Sequence, residues 1–218
     1  MPKSKDQLFQ QMLDAGVIAV IRAQSIQQLT HIAQALIAGG VPSIEVTMST
    51  PKAIAGIEAL ADSIGDQAII GVGTVLDAST ARDAISAGAQ FVVSPILDET
   101  VIAATRRYGK ISIPGAFTPT EILQAWTAGA DIVKVFPSTT LGPQYFKDIF
   151  GPLPQVRLMP TGGVDLKNAA DWIKAGAACL GVGSSLLTKD ALTNQDWPSI
   201  TTTARAFVQA VSAARSKS

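Results

Sequence analysis

Cysteine and histidine occur once each, at Cys179 and His31, in a chain of 218 residues. A single thiol excludes an intramolecular disulfide. One Cys and one His far apart give neither a Cys/His nucleophilic arrangement nor a metal-ligand cluster. An excess of one charge is also lacking: 17 Lys and Arg balance 17 Asp and Glu. The electropositive footprint of a protein that binds nucleic acid or an anionic membrane is therefore missing. No run approaches the roughly 18 apolar residues of a spanning helix, and the N-terminal stretch up to Gly16 has no apolar core of signal-peptide length. The expectation is a soluble, cytoplasmic protein with no nucleic-acid or membrane partner. What the chain has is 47% hydrophobic residues, enough for a large core, in a length that suits one domain over residues 1–218.

Short β-branched runs alternate with longer Ala-rich segments of helical period, the pattern of consecutive βα units around a parallel sheet. Eight strand starts can be counted, near Val17, Ser43, Ala68, Phe91, Ile111, Ile132, Arg157 and Cys179, at intervals of 20 to 26 residues. A weak repeat supports the count. Ala-Gly-Gly at Ala38 and Ala-Gly-Ala at Ala87, Ala128 and Ala175 each close a helical segment just before a strand, where glycine fits a left-handed C-cap. Helix starts are marked by Ser49-Thr50-Pro51, by Asp77 to Thr80, by Thr118-Pro119-Thr120-Glu121 and by Asp165. Residues 5–15 read as an additional helix ahead of the first strand, and 196–216 as the last helix. Eight such units predict a (β/α)8 TIM barrel with an extra N-terminal helix. An open doubly wound sheet is the alternative, separated from it only by closure.

In a barrel, reactive groups belong at the C-terminal ends of the strands. Lys134 stands inside the apolar run Ile132-Val133-Lys134-Val135-Phe136, where a charge is costly. Burial favours the neutral amine, and a neutral amine attacks a carbonyl to form a Schiff base. A structural lysine, paired or reaching the rim, is the competing interpretation. Glu45 repeats the pattern in Ser43-Ile44-Glu45-Val46-Thr47. Beside an imine it would shuttle protons; a purely structural Glu45–Lys134 ion pair would equally satisfy both charges.

Two glycine loops follow the last two strands: Pro160-Thr161-Gly162-Gly163-Val164-Asp165, which is expected to open a helix, and Gly181-Val182-Gly183-Ser184-Ser185. Loops at this pair of positions, with a short helix N-terminus, commonly bind phosphate through backbone N–H groups. Tight turning without a ligand is the alternative. Thr74 ends the third strand and Pro95 follows the fourth, where amides and the Thr74 hydroxyl could hold a carboxylate or carbonyl oxygen. Arg22 ends the first strand and is the nearest fixed anion ligand, although a rim arginine is as often a surface ion-pair member. His31 lies in a helix and is a poor general base. The glycine loops do not match a dinucleotide fingerprint.

Taken in order, Ile-Glu-Val-Thr at Glu45, Gly-Val-Gly-Thr at Thr74, Ser-Pro at Pro95, Ile-Pro-Gly at Ile113, Val-Lys-Val-Phe-Pro at Lys134, Pro-Thr-Gly-Gly at Gly162 and Gly163, and Leu-Gly-Val-Gly-Ser-Ser at Ser184 resemble the 2-keto-3-deoxy-6-phosphogluconate and 4-hydroxy-2-oxoglutarate aldolase family over nearly the whole chain. The resemblance implies a cofactor-free, metal-independent class I aldolase, usually a homotrimer. Its small-molecule substrate would be a 2-keto acid: 2-dehydro-3-deoxy-6-phosphogluconate, cleaved to pyruvate and glyceraldehyde 3-phosphate, or 4-hydroxy-2-oxoglutarate, cleaved to pyruvate and glyoxylate. By the same resemblance Lys134 forms the Schiff base and Glu45 is the general acid/base. Thr74 would help bind the carboxylate with Pro95 nearby, and Gly162, Gly163 and Ser184 would sit in the phosphate pocket; the reading of the two loops adds Thr161 and Gly183 as substrate-binding candidates. One departure stands out: gluconate-type members commonly carry a carboxylate-binding arginine four residues after the glutamate, and here that residue is Ser49. Serine offers no charged clamp; Arg22 is the substitute expected. Phe136-Pro137-Ser138 with Leu141 to Tyr145 is closer to the galactonate-series aldolases. Those enzymes and oxaloacetate decarboxylation through the same imine remain alternatives, with a phosphosugar isomerase or epimerase, or a silent binding barrel, more distant.

Overall fold

A computed structural model of the chain describes residues 3–216. It opens with α1 (Lys5–Ala15), β1 (Val17–Ile21), α2 (Ile26–Ala38), β2 (Ser43–Thr47), α3 (Ala53–Ile64), β3 (Ile69–Gly73), α4 (Ala78–Ser86), β4 (Phe91–Val93) and α5 (Glu99–Arg107). The second half runs β5 (Ile111–Ile113), β6 (Gly115–Ala116), α6 (Pro119–Thr127), β7 (Val133–Val135), α7 (Gly142–Phe150), β8 (Leu158–Pro160), α8 (Ala169–Lys174), β9 (Leu180–Val182), α9 (Lys189–Thr193) and α10 (Trp197–Arg215).

The strand pairings among the described residues are all parallel. Six strands in the order β5-β4-β3-β2-β1-β9 form a half-barrel, and β6-β7-β8 form a second sheet. Backbone bonds connect the two at both margins. Lys134 N–H donates to the Pro114 carbonyl at 2.8 Å, and Ala178 N–H donates to the Leu158 carbonyl at 2.9 Å. Thr161 and Gly181 form a further parallel bridge.

Period-2 alternation sorts the strand residues into two layers. Val17, Ala19 and Ile21 of β1, Ile44 and Val46 of β2 and Ile70 and Val72 of β3 pack with the helices. Residues of the other parity, among them Ile18, Ile69, Phe91, Ile111 and Met159, form a separate inner cluster with Cys179. α1 inserts Leu8 and Met12 into that cluster, Met12 with no exposed surface. Its start is fixed by a capping box, in which the Ser4 side chain accepts from Gln7 N–H and the Gln7 side chain accepts from Ser4 N–H.

The Ala-Gly repeat is a set of helix stops. Gly40, Gly88, Gly129 and Gly176 take φ of +87°, +106°, +97° and +99°. After each, the next N–H reaches back into the last turn: Val41 to Leu36, Ala89 to Ala84, Ala130 to Ala125 and Ala177 to Trp172, at 2.9 to 3.1 Å. This is the six-to-one bond of a Schellman motif, which turns the chain into the following strand. Asp77 and Thr118 cap α4 and α6 as expected from the sequence, and Asp196 caps α10.

Other expectations need correction. The fifth strand is broken: Pro114 has no N–H to donate, and the chain there changes sheets, β5 pairing with β4 and β6 with β7. Ser49 and Thr50 do not cap α3, which starts after Lys52 with no side-chain bond. Asp165 does not open a helix. Its carboxylate accepts from Lys167 and Asn168 N–H, closing a turn, and α8 begins only at Ala169. No helix follows β9 directly either: the Gly183 carbonyl accepts from Leu186 and Leu187 in one turn, and the unforeseen α9 comes later. His31 packs against Trp197, ring centroids 5.4 Å apart.

Candidate active site

At the C-terminal ends of the strands a cavity of about 340 Å³ opens into the inner face. Lys134 and Glu45 both line it, from β7 and β2, and each is buried, 5% and 1% exposed. Space for the Glu45 carboxylate comes from Gly73 on the neighbouring strand, where an added Cβ would run into it. Neither Glu45 oxygen has a hydrogen-bond partner. The two ion pairs within 4.0 Å among the described residues are Lys5–Asp131 and Arg82–Asp83. Glu45 and Lys134 therefore share a cavity without forming the structural ion pair that would occupy both. Burial pushes the Glu45 carboxyl above its ordinary range, and the charges of Lys134 and Arg22 pull it back only in part. A desolvated, unbonded acid facing an amine across a cavity is a proton-transfer arrangement. Lys134 Nζ lies 5.1 Å from the centroid of the Phe136 ring, a favourable seat for a cation.

The two glycine loops form another wall of the same cavity through Thr161, Gly162, Gly163, Gly183 and Ser184. Gly162 and Gly163 are consecutive left-handed residues, φ +88° and +74°, a conformation that side chains resist. Their N–H groups and that of Ser184 find no protein acceptor among the described residues. Ser185 Oγ donates to the Val164 carbonyl at 2.5 Å and ties one loop to the other. The Thr161 hydroxyl is buried without a partner. Unengaged amides on a fixed glycine backbone form a nest for an anion, here without the helix N-terminus expected from the sequence.

Arg22, Thr74 and Pro95 complete the set of sequence-predicted residues around the cavity. Arg22 is exposed on its rim. Thr74 has φ +61°, a backbone strain of about 1–3 kcal/mol for a β-branched residue, of the kind that collects at functional sites. Pro95 is held close by Gly115, which leaves no room for a side chain against the Pro95 carbonyl. Ser49 is not part of the lining. Thr47 Oγ1 donates to the Ile21 carbonyl at 3.1 Å and lies 2.8 Å from Ser49 Oγ, which is left to donate to it. Sequence reasoning gave no role to Phe136 and Val20, which also line the cavity, as do Val164 and Gly181 of the two glycine loops. For Phe136 a signal existed, since it stands two residues after Lys134 and so on the same strand face. Among the described residues no three His, Cys, Asp or Glu side chains gather as a metal site.

The family model described as KDPG and KHG aldolase matches residues 9–203. The chain belongs to this family. Among KDPG and KHG aldolase relatives, the 2-dehydro-3-deoxy-6-phosphogalactonate aldolase of Escherichia coli K12 is 37% identical over 172 residues, covering 78% of this chain and 83% of the relative. The 2-dehydro-3-deoxy-phosphogluconate aldolase of Dickeya dadantii is 36% identical over 207 residues, covering 94% and 96%. The crystal structure of the KDPG aldolase from Legionella pneumophila, with pyruvate captured at low pH as a covalent carbinolamine intermediate, superposes with a TM-score of 0.85 at 32% identity, covering 92% of this chain and 98% of that one. In this family member, then, the cavity brings Lys134, Glu45 and the two glycine loops together.

Proposed function

We propose that this protein is a class I aldolase that cleaves 2-keto-4-hydroxy acids to pyruvate and an aldehyde. The substrates are 2-dehydro-3-deoxy-6-phosphogluconate or its galactonate-series counterpart, and 4-hydroxy-2-oxoglutarate. The observation that carries the reading is the unpaired Glu45 carboxyl sharing a buried cavity with the Lys134 amine.

In this mechanism Lys134 Nζ adds to C2 of the keto acid, and Glu45 passes a proton to the carbinolamine oxygen, which leaves as water. The resulting iminium is the electron sink. Glu45, now a carboxylate, takes the C4 hydroxyl proton as the C3–C4 bond breaks, the electron pair forms an enamine and the aldehyde departs. Glu45 returns the proton to C3, and water hydrolyses the iminium to release pyruvate. Arg22 and the Thr74 hydroxyl hold the C1 carboxylate, with Pro95 packed beside it. The amides of Gly162, Gly163 and Ser184, with Thr161 and Gly183, receive the phosphate. No cofactor or metal ion takes part in any of these steps.

The same proposal reads the whole chain as one domain, a closed (β/α)8 barrel in which β5 and β6 are one strand and α1 is an additional helix across its lower end. Backbone bonds at both margins of the two sheets support closure. A homotrimer is supported by exposed apolar residues on successive strand-end loops and α6: Leu76 at 54%, Ile96 at 50%, Phe117 at 40% and Leu123 at 43%. A cytoplasmic setting suits a lone buried thiol; no helix among the described residues is long and apolar enough to cross a membrane.

Sodium borohydride with pyruvate is the direct test. The expected result is irreversible inactivation with one pyruvate-derived adduct on Lys134, absent in Lys134→Met, which should also lack aldol cleavage. Wild-type protein that gains no adduct, or a methionine variant that still turns over, overturns the reading. A panel of phosphorylated and unphosphorylated 2-keto acids in both C4 configurations then ranks the substrates.

A further inference from the structure

Ser138 is 1% exposed and does not line the cavity, yet it joins two of the cavity's walls. It begins a single 3-10 turn, Ser138–Thr140, that follows β7. Its hydroxyl donates to the Val135 carbonyl at 2.7 Å and accepts from Thr161 N–H at 3.1 Å. Its own N–H donates to the Thr161 carbonyl at 2.9 Å. Val135 is the residue after Lys134, and Thr161 the residue before Gly162. One side chain thus connects the strand of the buried amine to the start of the first glycine loop. The rest of that loop is held from other directions: Asn168 Nδ2 donates to the Gly163 carbonyl at 2.8 Å, and Ser185 Oγ donates to the Val164 carbonyl. The turn also backs the loop by contact, because a Cβ on Gly163 would come within 3.0 Å of Thr139 Cα. Alanine is small enough for the same turn; serine adds a donor and an acceptor, and both are in use. Without the hydroxyl, Thr161 N–H keeps the Val135 carbonyl as an acceptor at 3.1 Å. Strand and loop stay paired by backbone alone, and what the hydroxyl adds is a fixed spacing.

We propose that Ser138 is a positioning residue that sets the distance from Lys134 to the Gly162 and Gly163 amides, so that a substrate bonded to the amine at C2 also reaches those amides with its phosphate. The inference rests on the aldolase reading and deepens it. A ligand that occupies one end only is indifferent to this distance, whereas a ligand anchored at both ends is not. Small misplacements between two anchoring points are enough to cost rate.

The test compares Ser138→Ala and Ser138→Thr with wild type on probes that differ in reach. A 6-phospho-2-keto-3-deoxy acid spans both ends; pyruvate and inorganic phosphate each take one. In the alanine variant kcat/KM for the phosphorylated acid should fall about tenfold. The yield of borohydride adduct with pyruvate should stay at the wild-type value. So should the inhibition constant of inorganic phosphate and kcat/KM for 4-hydroxy-2-oxoglutarate, which carries no phosphate. Threonine keeps the hydroxyl and should restore the spanning substrate. An alanine variant with unchanged kcat/KM for the phosphorylated acid overturns the proposal. So does an equal fall for both substrates, or weaker inhibition by inorganic phosphate, since either would make Ser138 a general support of the loop. A wild-type protein that gains no pyruvate adduct would instead condemn the aldolase reading itself.

Discussion

Cys179 and Lys134 occupy the two ends of the same inner face, and both are buried. At the lower end the buried thiol belongs to one apolar cluster with Ile18, Ile69, Ile111, Ile132 and Met159 and with Leu8 and Met12 of α1. Burial pushes it up to about 12, so it stays a protonated, unreactive thiol at neutral pH. Two residues beyond Ile132, Lys134 meets open space instead of hydrocarbon. Glycine makes the difference: Gly73, Gly181 and Gly183 stand where the lower layer has side chains, and a Cβ on Gly73 or Gly181 would strike Glu45 or Thr161. Desolvation acts on both layers. Only where the backbone leaves room for a ligand does it yield a site rather than an inert core.

The sharpest way to break this contrast is Glu45→Gln. Loss of the proton shuttle should cut turnover by about 10²–10⁴, while the fold gains stability at neutral pH. The sign follows from the raised carboxyl. The protonated acid is favoured in the folded state, so its stabilising contribution is complete below the ordinary carboxylate range and is lost as pH rises through the folded value. Melting temperatures of the two proteins should agree in acid and diverge in favour of glutamine on going to neutral pH; a glutamine variant that melts lower at neutral pH would show Glu45 to be structural. Next in size is Met12→Ala at the opposite end, which should cost about 2–5 kcal/mol in denaturant unfolding. Its turnover under native conditions should match wild type, and a fall in turnover would mean the layers are coupled. Smallest is Arg22→Ala on the exposed rim, expected to raise KM for the 2-keto acid about tenfold with turnover kept, the loss of a charge-assisted contact. An unchanged KM would remove Arg22 from carboxylate binding.

Glu45 and Lys134 were legible because a charge inside a β-branched run has few places to go, and the glycine loops because of where they fall in the repeat. All ten sequence-predicted site residues line the one cavity. The Ala-Gly stops were equally visible, since glycine alone enters the left-handed region at little cost. Ser49 and Asp165 misled for one shared reason: their hydroxyl or carboxylate oxygens serve turns and strand ends as readily as helix caps, while the Thr50 hydroxyl is buried without a partner. Ser49 instead donates to the Thr47 hydroxyl, which itself donates to the Ile21 carbonyl. The break at Pro114 depends on which neighbour each half of the strand meets, and that is a tertiary fact. α9 is five residues long, too short for its period to stand out from a loop.

The plug made by Leu8 and Met12 also sets the order of traffic. With the lower end filled, reactants and products use the same doorway at the top. In the proposed mechanism the aldehyde, released while the three-carbon remnant is still bonded to Lys134, would have to clear that passage before water could free the pyruvate. Each turnover is a queue in which the fragment bound first is the last to leave.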